Sequence, residues 1–211
     1  MVSVQEIILL FTKYPLPGKS KTRLIPRLGE EGAADLQKLM TEVITIKMQT
    51  ISLSKGWHFT VFHEGGNNQL MKNWLGDSLS FNRQHHGDLG EKMYGAIAAH
   101  LHACRSIILI GSDCPEINAA VIEDAFTALQ THEFVLGPAY DGGYYLVGVQ
   151  GTLSNTAVKH IFTDIDWGSE NVLRQTIARI NEAGHNYHLV KKLHDIDTPD
   201  DLKYFNYNPD T

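Results

Sequence analysis

Four stretches of the chain are apolar at almost every position: residues 7–11, 106–111, 134–137 and 144–149. Each has strand length, and Ile107-Ile108-Leu109-Ile110 shows no alternation at all, the pattern of a strand buried on both faces of a parallel sheet. Further strands are predicted at 57–63, 79–81 and 188–190, bounded by glycine and polar turns. Between them the apolar period lengthens. Residues 30–55 carry Ala34, Leu36, Leu39, Met40, Val43, Ile46 and Ile51, which predicts one long amphipathic helix with an acidic start and Gly56 at its end. Shorter helices are predicted at 69–75, from Asp88-Leu89-Gly90 through Leu101, at about 118–130 and at about 169–183. Thr198-Pro199 signals one more helix start, N-cap then N1. Strands that alternate with helices predict a single α/β domain over 1–211, a three-layer α/β/α sandwich around a mostly parallel sheet. The tail after Tyr204 is expected to fray.

Composition narrows the partners. The 211 residues carry a formal charge of −6, which argues against a nucleic-acid partner held by a basic surface. The cationic cluster at 13–27 stands out against that background and suggests a small anionic ligand. Two cysteines, Cys104 and Cys114, are too few for a disulfide framework. No run of about 18 apolar residues predicts a membrane span. The N-terminus lacks the positive region of a signal peptide, so a cytoplasmic location is expected.

The candidate chemistry gathers where strands end. The first strand stops at Thr12 and passes into a loop with Pro15, Pro17 and Gly18, then into Lys19, Lys21 and Arg23. Backbone amides and cations after a buried strand suit phosphate, and Lys13, Lys21 and Arg23 are the predicted holders. The loop matches neither the Walker pattern nor Gly-x-Gly-x-x-Gly. A solvated basic turn is the competing reading. Asp113 follows the most apolar strand directly, where a carboxylate is costly unless it pairs or binds a cation. Asp195 and Asp197 flank Ile196, so an extended segment points both the same way while Ile196 faces the core. Either can bring a second carboxylate to Mg²⁺ or Mn²⁺, which take oxygen ligands and keep substrate phosphates in their shell. Turns and helix caps are the competing roles for all three. Asp141-Gly142-Gly143-Tyr144 offers a carboxylate for a hydroxyl beside a backbone that permits close approach; tyrosines that open a strand are more often core. Asp88 reads first as a helix N-cap. His85-His86 reads as loop, and no Ser-His-Asp order, Cys-x-x-Cys or His-Glu-x-x-His pattern suggests a protease or zinc site.

These blocks also carry a resemblance. Phe11-Thr12-Lys13-x-Pro15-x-Pro17-Gly18-x-x-Lys21-Thr22-Arg23-Leu24, Gly87-Asp88-Leu89-Gly90, Gly111-Ser112-Asp113-Cys114-Pro115, the stretch 136–145 and Asp195-Ile196-Asp197-Thr198-Pro199-Asp200-Asp201-Leu202 resemble a bacterial family of proposed nucleotide-diphospho-sugar transferases. The resemblance spans nearly the whole chain. It implies a GT-A-like fold, related to the superfamily of the molybdenum-cofactor nucleotidyltransferases, and a nucleotide or nucleotide sugar bound with Mg²⁺ or Mn²⁺. Joined to the residue reading, it puts nucleotide contacts at Lys13, Gly18, Lys21, Thr22, Arg23 and Asp88, and metal ligands at Asp113, Asp195 and Asp197. It puts substrate contacts at Gly142, Gly143 and Tyr144, and the catalytic role at Asp141. Glycosyl transfer to a small-molecule acceptor is the leading expectation, nucleotidyl transfer with release of pyrophosphate the second, and a non-catalytic nucleotide-binding module the third. Asp113 stands alone where glycosyltransferases of this fold show Asp-x-Asp, and Asp113-Cys114-Pro115 resembles the Asp-x-Pro of nucleotidyltransferases. Gly168-Ser169 stands where the family pattern has Ser-Thr.

Overall fold

The computed structural model describes residues 5–205. Strand β1 (Gln5–Lys13) pairs in parallel with β2 (His58–Glu64) on one side and with β4 (Cys104–Gly111) on the other. Beyond β2 lies β3 (Ser80–Arg83), also parallel. Beyond β4 the chain reverses: β6 (Tyr144–Gln150) runs antiparallel to both β4 and β5 (Phe134–Pro138), and β7 (Tyr187–Leu189) pairs in parallel with β5. The order is β3-β2-β1-β4-β6-β5-β7. The chain winds outward from β1 to β3 and then returns to the other side of β1. That reversal is the switch point at which open α/β sheets bind ligands, beyond the carboxyl ends of their strands.

The apolar runs are buried because both faces of the sheet are covered. Ile8 and Leu10 face one layer, made by helices α1 (Ile25–Lys55), α2 (Asn68–Leu75) and α4 (Ala119–Ala128). Ile7, Leu9 and Phe11 face the other, made by α3 (Leu89–Ala98), α5 (Asn155–His160) and α6 (Val172–Glu182). Each such side chain contributes about 1.5–3 kcal/mol by leaving water. A third, smaller cluster of Leu24, Ala33, Leu36, Met40 and Ile196 lies apart from both. It ties the loop after β1 to the segment after β7, so two stretches far apart in the chain share one anchor.

Three features depart from the sequence pattern. Helix α1 starts at Ile25, five residues before the predicted start, and crosses Gly29, whose φ of 73° breaks the helical run. Glycine alone takes that conformation without a Cβ penalty. Within α1, Leu39 and Ile46 are 37% and 64% exposed, whereas Gln37, Thr41, Thr45 and Ser52 are buried. The apolar period therefore mixed the packed face with a solvent face, and the packed face carries polar groups. Helix α5 had no periodic signal, being too short to show one. The helix expected after Thr198-Pro199 is a 3₁₀ turn, Pro199–Tyr204, with Thr198 and Asp201 closing its capping box. Residues 1–4 and the tail expected to fray, from 206 on, lie outside the described residues. Among the described residues, no helix is long and apolar enough to cross a membrane.

Candidate active site

Beyond the carboxyl ends of β1 and β4 opens a cleft of about 580 Å³. Its floor is a buried polar network. Gln37 Nε2 donates to Thr12 Oγ1 at 3.2 Å, to Thr41 Oγ1 at 3.1 Å and to Ser112 Oγ at 3.1 Å. Gln37 thus ties the ends of β1 and β4 to helix α1, a role the apolar pattern had no means to show. Gln84 does the same between β1 and β2, donating to Thr12 O and Phe62 O. Satisfied buried networks of this kind fix geometry, because each partner lost would leave an orphan group.

One side of the cleft is basic. The loop after β1 closes on Ser20, whose Oγ accepts from Leu16 N and donates to Tyr14 O. Lys13 stays 59% exposed, 3.8 Å from Glu64, and Lys92 on α3 lies 3.3 Å from the same carboxylate. Lys19 and Thr22 line the cleft as well. Lys21 behaves differently. Its backbone is left-handed at φ 48°, ψ 47°, uncommon for a residue with a Cβ, and its side chain is only 4% exposed. The ammonium donates to Ile196 O at 2.6 Å and lies 3.1 Å from Asp113 and 3.7 Å from Asp197. Arg23 reaches Asp197 at 2.6 Å from a mostly exposed position.

The other side is acidic. Asp113, Asp141 and Asp195 line it from the loops after β4, β5 and β7, with Asp197 at its edge. Ile196 is fully buried and its N–H donates to Asp113 O at 2.8 Å, so the alternation of Asp195, Ile196 and Asp197 holds. Burial pushes the Asp195 carboxyl up to about 6, and the charges of Asp141 and Asp113 add to the effect. Asp195 is therefore close enough to feel both of the others. Cys114, buried behind them, has its thiol pushed up to about 12 by burial, so it is inert at neutral pH.

The remaining predicted residues separate. Asp88 caps α3, accepting from Glu91 N at 2.8 Å while Glu91 accepts from its own N–H, and it does not line the cleft. Its carboxylate is used by the helix. Gly18, at φ 72°, shapes the loop and does not line the cleft either. Gly142, at φ 93°, packs against the chain at Glu170, where a Cβ would collide with the carbonyl; its own carbonyl accepts from Leu173 N. The close approach that a glycine pair permits is thus to another loop, while Gly143 faces the cleft. Asp141 Oδ1 accepts from Gly143 N at 2.8 Å, which fixes the carboxylate. The Tyr144 ring lines the cleft, but its hydroxyl is buried, and burial raises the phenol far above its usual range. Trp167 stands edge-on to that ring, 6.4 Å between centroids, and also lines the cleft.

Among the described residues, no group of three or more His, Cys, Asp and Glu is arranged to hold a metal ion. Lys21 lies against one oxygen of Asp113 and one of Asp197, and Arg23 takes the other oxygen of Asp197. Among the described residues, that leaves Asp113 Oδ1 and the Asp195 carboxylate as oxygen donors without an ion pair. That donor set fits a hard cation whose shell is completed by substrate phosphates and water, the usual arrangement for Mg²⁺. It does not fit a ready-made three-carboxylate site.

Known structures share this architecture. A protein of Desulfovibrio desulfuricans G20, whose description proposes a nucleotide-diphospho-sugar transferase, is 30% identical with a TM-score of 0.81, over 93% of this chain and 84% of the other. Rv0371c of Mycobacterium tuberculosis H37Rv, solved in complex with manganese, is 13% identical with a TM-score of 0.56, over 96% and 97%. A CMP:2-keto-3-deoxy-manno-octonic acid synthetase solved with CTP is 11% identical with a TM-score of 0.56, over 95% and 96%. The last two likenesses concern the fold. No curated protein matches the sequence. Residues 47–169, more than half of the length, match the model of the family described as "Uncharacterized protein conserved in bacteria (DUF2064)", and the chain belongs to that family.

Proposed function

We propose that this chain is a transferase that binds a nucleotide-diphospho-sugar and passes its glycosyl group to a small hydroxyl acceptor. The observation that carries the reading is the division of the switch-point cleft into a basic side, from β1 and α3, and an acidic side, from the loops after β4, β5 and β7. Lys13, Lys19 and Lys92 suit the diphosphate, as charge-assisted donors on a polyanion. Asp113 and Asp195 are the residues that would hold Mg²⁺ or Mn²⁺; the manganese complex of Rv0371c supports a divalent cation in this fold, not the choice of ligands. A bound cation supplies charge stabilisation for the leaving diphosphate. Asp141, whose Oδ1 is fixed by Gly143 N, takes the proton of the attacking hydroxyl. The acceptor oxygen bonds to C1 of the sugar, the bond from C1 to the phosphate oxygen breaks, and a nucleoside diphosphate leaves.

Nucleotidyl transfer is the second reading, with attack at the α-phosphorus and pyrophosphate leaving. The order Asp113-Cys114-Pro115 supports it, as does the fold shared with a synthetase that binds CTP. One assay separates the two. The protein is incubated with Mn²⁺ and either a panel of nucleotide sugars or the nucleoside triphosphates, and the phosphate product is identified. Nucleoside diphosphate from a sugar donor, lost in Asp141→Ala, is the expected outcome. Pyrophosphate from a triphosphate, with sugar donors inert, would overturn it.

A further inference from the structure

A second cavity of about 370 Å³ meets the cleft at its acidic edge, and Arg23, Asp141, Asp195 and Asp197 line both. Its outer wall is a column of three rings. Tyr140, from the turn after β5, stacks on His194 at 3.9 Å between centroids and 11° between planes; His194 stacks on Tyr204 of the 3₁₀ turn at 3.6 Å and 17°. Lys192 caps the column over Tyr140 and Lys203 caps it over Tyr204. Glu116 fixes the middle ring, its carboxylate 3.4 Å from His194 Nδ1 and accepting from His194 N at 3.0 Å. The tyrosines nonetheless stay 56% and 41% exposed. Rigid, half-exposed aromatic rings held beside carboxylates need an explanation that core packing does not provide.

The charge of this cavity is informative. Of its four carboxylates, Asp197 is engaged by Arg23 and Lys21 and Asp201 by the capping box with Thr198, so Asp141 and Asp195 are left facing the cavity, with Lys203 the remaining cation among its lining residues. A ligand with its own phosphate or carboxylate meets an excess of like charge there. A neutral polyol meets carboxylate acceptors for its hydroxyls and, because the ring faces are covered by one another and by the two lysines, only the ring rims as apolar surface for van der Waals contact.

We propose that this second cavity is the acceptor subsite and that it takes a neutral sugar or sugar-like alcohol in preference to an anionic one. The position agrees, since an acceptor seated on the Tyr140–Tyr204 wall would reach the cleft past Asp141, the carboxylate shared by both spaces. The inference rests on the glycosyl-transfer reading for its catalytic meaning, but it is a binding statement and is tested as one.

The test uses saturation-transfer NMR on the full chain without nucleotide. The probes are the methyl glycosides of glucose, galactose and mannose, each beside its 6-phosphate. At least one neutral glycoside should give a signal three-fold or more above its phosphorylated counterpart. Tyr140→Ala and Tyr204→Ala should each cut that signal at least three-fold, while nucleotide affinity in the cleft stays within two-fold of wild type. Tyr204 lies on the terminal 3₁₀ turn, so its variant leaves the β5–β6 turn intact if Tyr140→Ala folds poorly. No signal from any neutral glycoside, a stronger signal from the phosphates, or a signal that survives both variants would each overturn the proposal. Failure of the wild type to bind nucleotide would sink the donor reading alone and leave the glycoside result standing.

Discussion

The basic side of the cleft comes mostly from one stretch of chain, whereas the acidic side is assembled from three loops that follow β4, β5 and β7. The loop after β1 closes on its own Ser20 and turns at its own Gly18. Of the carboxylates, Asp141 is fixed locally, by Gly143 N, but Asp113 and Asp195 have no such local frame. Asp113 and Asp195 repel, and the segment that carries Asp195 and Asp197 is held by Ile196 in the small third core, by the bond from Ile196 N to Asp113 O, and by the Lys21 ammonium and Arg23 guanidinium that cross from the basic side. A locally closed loop can keep its cations free for a ligand. A site built from distant carboxylates needs a cation of its own to assemble. Lys13 and Lys21 carry that difference within one loop, at 59% and 4% side-chain exposure.

The sharpest way to break the comparison is to exchange the two lysines for neutral residues. Lys21→Met removes the hydrogen bond to Ile196 O and leaves Asp113 and Asp197 facing each other without their shared cation. Loss of one partner of a buried pair costs 3–5 kcal/mol, and the openness of both carboxylates to water lowers the expectation to about 2–3 kcal/mol. Lys13→Met should change stability by no more than about 0.5 kcal/mol, since its contact with Glu64 is a surface ion pair. Urea denaturation of the two variants checks this, and equal stability would mean that Lys21 does not organise the acidic side.

A second variant relaxes the acidic side from within. The Asp195 carboxyl is raised by burial, and by Asp141 and Asp113, from 3.8 to about 6. A carboxyl raised in this way binds its proton more tightly folded than unfolded. Stability therefore falls as pH rises from about 3.8 to about 6, and above that range the folded state carries the full cost of the charge. Asp195→Asn should accordingly gain on the order of 1–2 kcal/mol at pH 7.5 in metal-free buffer, after allowance for partial exposure, and gain nothing below pH 3.8. Melting curves across pH test the sign. A variant that is less stable at pH 7.5 would show that Asp195 is paired rather than crowded.

What the sequence made legible was what depends on neighbours in the chain. Runs without alternation identified β1 and β4 as strands buried on both faces, and with them the carboxyl edge where Asp113 and the Lys13 loop come together. The spacing of Asp195, Ile196 and Asp197 predicted which way each side chain points, and Ile196 is indeed buried. What stayed hidden depends on partners far along the chain. The bond from Lys21 to Ile196 spans 175 positions, and nothing local told that this lysine, read as a phosphate holder, would be buried against it. Gln37 carries no local signal either, because its acceptors sit on β1, on α1 and after β4. The same holds for the ring column, since Tyr140, His194 and Tyr204 share no period. Asp88 and Gly142 show the converse: motif residues whose chemistry is consumed by a helix cap and by the approach of a neighbouring loop.

The smallest expected effect concerns the basic side alone. If Lys13 is a free cation for the donor diphosphate, its contribution is long-range attraction from a solvated ammonium, because Glu64 already shares it with Lys92. Lys13→Gln should then weaken nucleotide binding by about 0.5–1 kcal/mol at low ionic strength, two- to five-fold in Kd. The difference should shrink towards zero near 0.5 M salt, where the screening length falls below the span of the contact. Arg23, already engaged by Asp197, should be less salt-sensitive, since Arg23→Gln would disturb that pairing as well as any phosphate contact. Isothermal titration of a nucleoside diphosphate at two salt concentrations separates the two positions. A loss at Lys13 that persists at high salt would mean a direct, desolvated contact, and the open, self-supporting character assigned to the basic side would have to be given up.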